Sequence, residues 1–192
     1  MRVVVGLRNP GSDYEGTRHN AGSVVVSRVL DRLPVSLAKG PTRLAAMVAQ
    51  DGVGDAATLY VLPNAYMNES GGAVAATLTY YKVEPEDLLV VHDDIDLPFG
   101  RLRVQVAGGS GGHNGIRSIE KSLGTKEFTR LKFGVGRPPS SLDPADFVLR
   151  RFTKTELPEV EAMTHDAADV IQRWLEDRSK AQEMAARRTM DD

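Results

Sequence analysis

The chain has 192 residues, of which 41% are hydrophobic and 26% charged, with a formal net charge of -2. That balance fits one folded domain with a single core, and excludes both a disordered chain and one that coats nucleic acid by bulk charge. There are no cysteines, which removes disulfides, thiolate metal sites and a cysteine nucleophile. No apolar run approaches the ~20 residues of a membrane span, so no membrane association and a cytoplasmic location are expected.

Val3-Val4-Val5 reads as a short buried strand that begins almost at once, with no room for a signal peptide, and opens into the loop Gly6-Leu7-Arg8-Asn9-Pro10-Gly11. Asn20 stands where a helix cap would, ahead of a helix through Val25, Val26, Val29, Leu30 and Leu33. Leu44 to Ala49 and Thr58 to Leu62 predict two more strands, and the Ala-rich stretch Ser70 to Tyr81 a second helix. Leu88 to Val91 is a continuous apolar run ending in His92-Asp93-Asp94, the pattern of a central strand covered on both faces. Arg101 to Val106 alternates like a half-exposed strand. The loop Gly108-Gly109-Ser110-Gly111-Gly112 leads into a helix from Asn114 to Leu123, and Leu131 to Val135 is a late strand. A last helix from Thr155 to Leu175 places Val160, Met163, Ala167, Val170, Ile171 and Trp174 on one face as core packing. Beyond it the chain is charged and poor in large apolar groups, so residues 1–178 are expected to form the single domain and residues 179–192 a frayed tail.

Alternating strands and helices predict an α/β fold: one three-layer domain whose twisted, mostly parallel mixed sheet is flanked by helices. Ligands in such folds gather beyond the carboxyl ends of the strands. Asn9, Asp93 and the Gly108 to Gly112 loop all follow strands and are expected to converge there. The small net charge conceals a gradient: from Arg101 to Arg137 there are eight basic residues against two acidic ones, Glu120 and Glu127, a stretch suited to phosphates.

The segments Asn9-Pro10-Gly11, Tyr14 and Thr17-Arg18-His19-Asn20 resemble the N-terminal signature of the bacterial peptidyl-tRNA hydrolase family. Tyr66-Met67-Asn68-Glu69-Ser70-Gly71, His92-Asp93-Asp94-Ile95-Asp96-Leu97-Pro98, Gly111-Gly112-His113-Asn114-Gly115 and Gly134-Val135-Gly136-Arg137-Pro138 resemble its later blocks, in order and at similar spacing. Together they cover most of residues 3–152. The resemblance implies an enzyme that hydrolyses the ester joining a peptide to the terminal ribose of tRNA. It implies no covalent intermediate, no metal and no cofactor, and a monomer without an obligate protein partner.

An imidazole, with an unperturbed pKa of about 6.5, can take up a proton near neutrality and return it, so His19 suits a general base that activates water. A lone histidine is more often a loop hydrogen-bonding group; the surrounding motif is what selects His19. By the same resemblance Asp93 would accept a hydrogen bond from the other ring nitrogen, with Asp94 and Asp96 left as turn residues. Asn9, Asn68 and Asn114 offer both donor and acceptor without charge, Asn9 in the catalytic set and Asn68 or Asn114 toward the oxyanion. Tyr14, Tyr66 and Met67 complete the implied substrate-binding set, and Arg103, Lys132 and Arg117 the tRNA-binding one.

Two rivals compete for the same residues. Gly108-Gly109-Ser110-Gly111-Gly112 also fits the G-x-S-x-G pattern of serine esterases, with Ser110 as nucleophile, although four glycines in five residues meet that pattern easily. His19, His92, Asp93 and His113 are metal-ligand types near strand ends, but no H-E-x-x-H or comparable spacing supports a metal, and His92 and His113 read as supporting or buried hydrogen-bonding residues.

The chain also departs from the family. Arg8 stands where the loop normally has glycine, and at a positive φ would carry roughly 1–2 kcal/mol of strain or crowd the site. Gln105 replaces a lysine that helps clamp the tRNA 5′-phosphate, and Leu62 a lysine common before Pro63. These changes keep open a noncatalytic or altered RNA-binding relative, while retention of Asn9, His19, Asn68, Asp93 and Asn114 favours the enzyme.

Overall fold

The computed structural model describes residues 1–188. In chain order its elements are β1 (Arg2–Gly6), α1 (Ala21–Leu30), β2 (Ala38–Lys39), β3 (Ala46–Asp51), β4 (Thr58–Pro63), α2 (Ser70–Tyr81), β5 (Leu88–Asp94), β6 (Leu102–Val106), α3 (Asn114–Leu123), β7 (Thr129–Gly134), α4 (Pro144–Val148), α5 (Leu157–Glu176) and α6 (Arg178–Arg187). Among the described residues these strands form one seven-stranded sheet in the order β2-β3-β4-β1-β5-β7-β6. The central pairings β4–β1, β1–β5 and β5–β7 are parallel, and both edges close antiparallel through β2–β3–β4 and β6–β7.

The apolar runs in β1 and β5 follow from helices on both faces. Val4, Leu89, Val91 and Leu131 point to the layer of α1, α5 and α6, where Trp174 is fully buried. Val3, Val5, Leu88 and Val90 point to the layer of α2 and α3, against Val74, Leu78, Ile116 and Ile119. The three-layer α/β domain expected from the sequence is thus the fold observed. No helix among the described residues is long and apolar enough to cross a membrane.

Three local expectations change. The strand expected from Leu44 starts at Ala46, because residues 42–44 form a 3-10 turn that ends at Ala45 in the left-handed region. The short helix α4 was not anticipated, although Asp143-Pro144 carries its signal: Asp143 caps the Ala145 N–H at 2.8 Å and Pro144 occupies the first turn.

The segment expected to fray is helical to Arg187. Asp177 caps α6 at the Lys180 N–H, and Ala181 and Ala185 are fully buried against the sheet layer. Arg188 then binds Glu159 and Asp166. Small alanines suffice for close packing, which a count of large apolar residues does not register. The rest of that expected tail, residues 189–192, lies outside the described residues.

Candidate active site

Strands β4, β1 and β5 lie side by side and parallel, so the residues that follow them emerge at one edge of the sheet. Asn9 comes from the loop after β1, Met67 and Asn68 from the turn after β4, and Asp93 from the end of β5. His19 arrives in the 3-10 turn Arg18–Asn20, just ahead of α1. That turn can approach because Gly22 lies directly on the strands: a Cβ there would sit 2.2 Å from the Val91 carbonyl oxygen and 2.7 Å from the Leu7 nitrogen.

The geometry is tight and buried. His19 Nδ1 lies 2.9 Å from Asp93 Oδ1 and 3.1 Å from Oδ2, so the ring nitrogen donates to the carboxylate and Nε2 keeps its lone pair. His113 Nε2 lies 2.9 Å from the same Asp93 Oδ1. His92, fully beneath them, donates from Nδ1 to the Asp93 carbonyl oxygen at 2.6 Å. Asn9 is fixed from three directions: its N–H donates to Asn20 Oδ1 at 2.8 Å, its carbonyl accepts from Asn20 Nδ2 at 3.0 Å, and its Oδ1 accepts the Met67 N–H at 2.7 Å. The last bond orients the amide and leaves Nδ2 as a donor. Asn20 occupies the cap position expected of it, but its side chain is spent on Asn9 and makes no cap bond.

Burial acts on this cluster first, and its neighbours decide the outcome. Desolvation pushes the Asp93 carboxyl up, yet the attraction and hydrogen bonds of His19 and His113 outweigh it and hold the group well below the usual carboxylate range. His92 is driven down to about 3 by burial and by the neighbouring His113, against the pull of Asp93 and Asp94. At Asp94 burial again opposes ionisation, and the bond to Lys132 at 2.9 Å prevails, lowering its pKa. Asp94 also accepts the Asp96 N–H, the turn role expected of it.

These groups line a cavity of about 650 Å³ whose walls include Asn9, His19, Met67, Asn68, Asp93 and Asn114. Tyr66 is exposed at its rim, and Tyr14 packs edge-on to Tyr66 at 6.4 Å without lining the cavity itself. Asn68 and Asn114 are exposed, and Asn114 and Arg117 approach at 3.5 Å. Asn68, Asn114 and Arg117 also border a second, shallower hollow with Lys121. Arg103 and Lys132 are cross-strand partners on the β6–β7 edge, separate from the cavity walls and linked to them through Asp94.

Among the described residues, His19, Asp93 and His113 are the one group able to hold a metal ion, with ligand atoms within 4.8 Å of one another. Those atoms already serve one another as hydrogen-bond partners. Ser110 lines the cavity, but the ring nitrogens of His19 and His113 bond to Asp93 and to backbone, and neither reaches the serine hydroxyl.

Arg8 is unstrained, since its φ is not positive, and its guanidinium turns away from the cavity to the Pro63 carbonyl and Asn64 Oδ1. It staples the loop after β1 to the loop after β4. His113, read from the sequence as a supporting hydrogen-bonding residue, stands here against Asp93. Arg18, which the sequence presents only as part of a motif, is buried, binds both Glu156 carboxylate oxygens at 2.8–2.9 Å, and donates to the carbonyls of Arg150 and Arg151. Its guanidinium also stacks over Phe147 and Phe152. The turn carrying His19 is thereby anchored to the segment carrying α4, whose Val148 forms part of the cavity wall.

The family model for peptidyl-tRNA hydrolase matches residues 3–191. The chain is 46% identical to a peptidyl-tRNA hydrolase of Frankia casuarinae over 175 residues, 91% of this chain and 88% of that one. It is 45% identical to that of Mycobacterium marinum over 174 residues, 91% of each. Its fold is similar to a crystal structure of peptidyl-tRNA hydrolase in complex with N-propanol, with a TM-score of 0.92 at 29% identity over 100% of this chain and 97% of the other. The Acinetobacter baumannii peptidyl-tRNA hydrolase gives a TM-score of 0.91 at 29% identity, covering 98% and 96%.

Proposed function

We propose a mechanism for this chain, which belongs to the peptidyl-tRNA hydrolase family and is an enzyme that releases peptides from peptidyl-tRNA: His19 activates the attacking water. The observation that carries this is the His19–Asp93 pair at 2.9 Å, with His19 on the wall of the cavity and its Nε2 unspent. His19 Nε2 takes a proton from water as the oxygen attacks the ester carbonyl carbon. The tetrahedral oxyanion collapses, the bond to the ribose oxygen breaks, and Nε2 returns its proton to that oxygen. Water is consumed, and the products are a tRNA hydroxyl and a peptide carboxylic acid, which ionises by releasing its proton to solvent.

Asp93 fixes the ring tautomer and stabilises the imidazolium while it lasts. Asn68 or Asn114 donates to the developing oxyanion, and Asn9 Nδ2 holds the substrate or the water. Tyr66 and Met67 bound the peptide, with Tyr14 buttressing Tyr66. Arg103, Lys132 and Arg117 bind tRNA phosphates. The chain works in the cytoplasm as a monomer without an obligate protein partner.

The test is hydrolysis of purified peptidyl-tRNA. His19→Ala should lose roughly 10³–10⁴-fold in kcat while still binding tRNA; retained turnover would sink the base. Ser110→Ala should leave turnover nearly intact, and a loss of several orders of magnitude would instead establish the serine esterase. An active wild-type protein that ignores a chelator discards the metal reading. One that binds RNA without turnover would be the noncatalytic relative.

A further inference from the structure

We propose that His113 is the positioning residue that holds Asp93 against His19, and that the start of helix α3 suits it to this task by fixing its tautomer. The proposal rests on the reading of His19 as the base.

His113 occupies the N-cap of α3, an unusual residue for that place. Its Nδ1 accepts the backbone N–H of Gly115 at 3.1 Å and that of Ile116 at 3.3 Å. Backbone amides can only donate, so Nδ1 must carry the lone pair and the ring proton must sit on Nε2. A proton on Nδ1 would cost both backbone bonds. The other ring nitrogen therefore faces Asp93 Oδ1, 2.9 Å away, as an obligatory N–H donor.

Asp93 Oδ1 thus receives two N–H groups, from His19 Nδ1 and His113 Nε2, each at 2.9 Å. The other ionisable groups at this carboxylate are His92, whose ring packs edge-on to His113 at 4.7 Å, and Asp94, paired with Lys132. The second donor does two things. It stops the carboxylate from rotating away from His19, and it takes up part of the negative charge that Asp93 would otherwise present to the imidazolium. His113 therefore governs both the rate at the plateau and the pH at which the enzyme becomes active.

The two ring nitrogens can be replaced separately. The side-chain oxygen of asparagine lies near the position of ring Nδ1 and caps helices well, while the amide nitrogen of glutamine reaches toward the position of Nε2. His113→Asn keeps the cap and loses the donor. Its kcat should fall about 10- to 100-fold, the worth of one hydrogen bond to a charged group, and the acidic limb of its pH–rate profile should move to higher pH with Tm unchanged. His113→Gln keeps the donor and loses the cap. Its Tm should fall by about 2–4 °C, while its pH profile and most of its kcat return toward wild type.

A His113→Asn variant with wild-type kcat and acidic limb would overturn the proposal, and so would equal losses in the two variants. Ring ¹⁵N chemical shifts provide a readout that does not depend on turnover. They should report His113 with its proton on Nε2, and a proton on Nδ1 would overturn the proposal whatever the assay gives. Turnover by His19→Ala would instead remove the base and leave the tautomer measurement standing, so the two failures are distinguishable.

Discussion

The cavity at the ends of β4, β1 and β5 and the basic edge formed by β6 and β7, to which the proposed mechanism assigns chemistry and tRNA binding respectively, are built on opposite principles. On the cavity wall Asn9 is 7% exposed, His19 8% and Asp93 1%, and each of these three is held by hydrogen bonds from a different part of the chain. On the edge Arg103 is exposed, whereas Lys132 is half-buried and paired with Asp94, and Arg130 is buried and paired with Glu120. Buried bonds act at low dielectric, and losing one leaves a desolvated partner behind. Exposed charges act through solvent, are screened by salt, and contribute in small increments. Substitutions in the cavity should therefore appear in kcat as large single effects, and those on the edge in binding as small additive ones.

The largest effect should come from Asp93→Asn. An amide there can turn its NH2 toward His19 and favour the tautomer whose proton is on Nε2, where it cannot serve as base. A loss of about 10³–10⁴-fold in kcat follows by analogy with other His–Asp pairs, measured on peptidyl-tRNA with tRNA affinity as the control. A loss of less than tenfold would break the contrast between the two regions.

Next in size are Asn68→Ala and Asn114→Ala. Whichever residue faces the oxyanion should cost about 10²–10³-fold in kcat, and the other should act mainly on KM. Two small KM effects would move the oxyanion donor elsewhere, with Asn9 Nδ2 the remaining candidate.

The same contrast explains what was legible in the sequence. The central strands could be read because helices on both faces make Val3-Val4-Val5 and Leu88 to Val91 uniformly apolar. The motifs that hold His19, Asp93, Asn9, Asn68 and Asn114 are visible in the sequence, and the topology explains why the first four meet: they follow neighbouring parallel strands or precede the helix laid upon them, whereas Asn114 begins α3 after the antiparallel β6.

Several features were not legible because their meaning lies in partners far along the chain. Arg18 looks like one more surface cation until Glu156 and the carbonyls of Arg150 and Arg151 surround it. His113 gives no cap signal, since asparagine, aspartate, serine and threonine are the residues that announce a helix start. Arg8 seems to threaten the loop only while its φ is unknown. Helix α6 is built on alanines and ends in ion pairs, so its composition resembles that of a frayed tail.

On the basic edge the effects should be smaller and should scale with salt. Arg103→Ala removes an exposed cation beside Lys132. The slope of log affinity against log salt should become shallower by about 0.9, the share of one phosphate contact, and the change should fall on KM more than on kcat. A fall in kcat as large as that of the asparagine variants would mean that the edge is coupled to the chemistry, with the Lys132–Asp94 pair as the available link.

Gln105→Lys should produce the smallest change, and its sign is informative. Gln105 pairs across the strands with Arg130, and its amide packs so closely under Gly108 that a Cβ on that glycine would lie 2.2 Å from Gln105 Nε2. Arg130 holds the same loop through the carbonyls of Gly108 and Gly109 and is itself partnered by Glu120. A lysine would have to leave the underside of the loop and extend toward solvent, near a guanidinium that repels it. The added charge should still steepen the salt dependence of tRNA binding, by less than the ~0.9 expected of an unopposed phosphate contact, and tighten binding only a few-fold. An unchanged slope would remove position 105 from the phosphate surface of this chain. A slope steeper by the full increment would show that Glu120 neutralises Arg130 well enough for a second cation to work beside it.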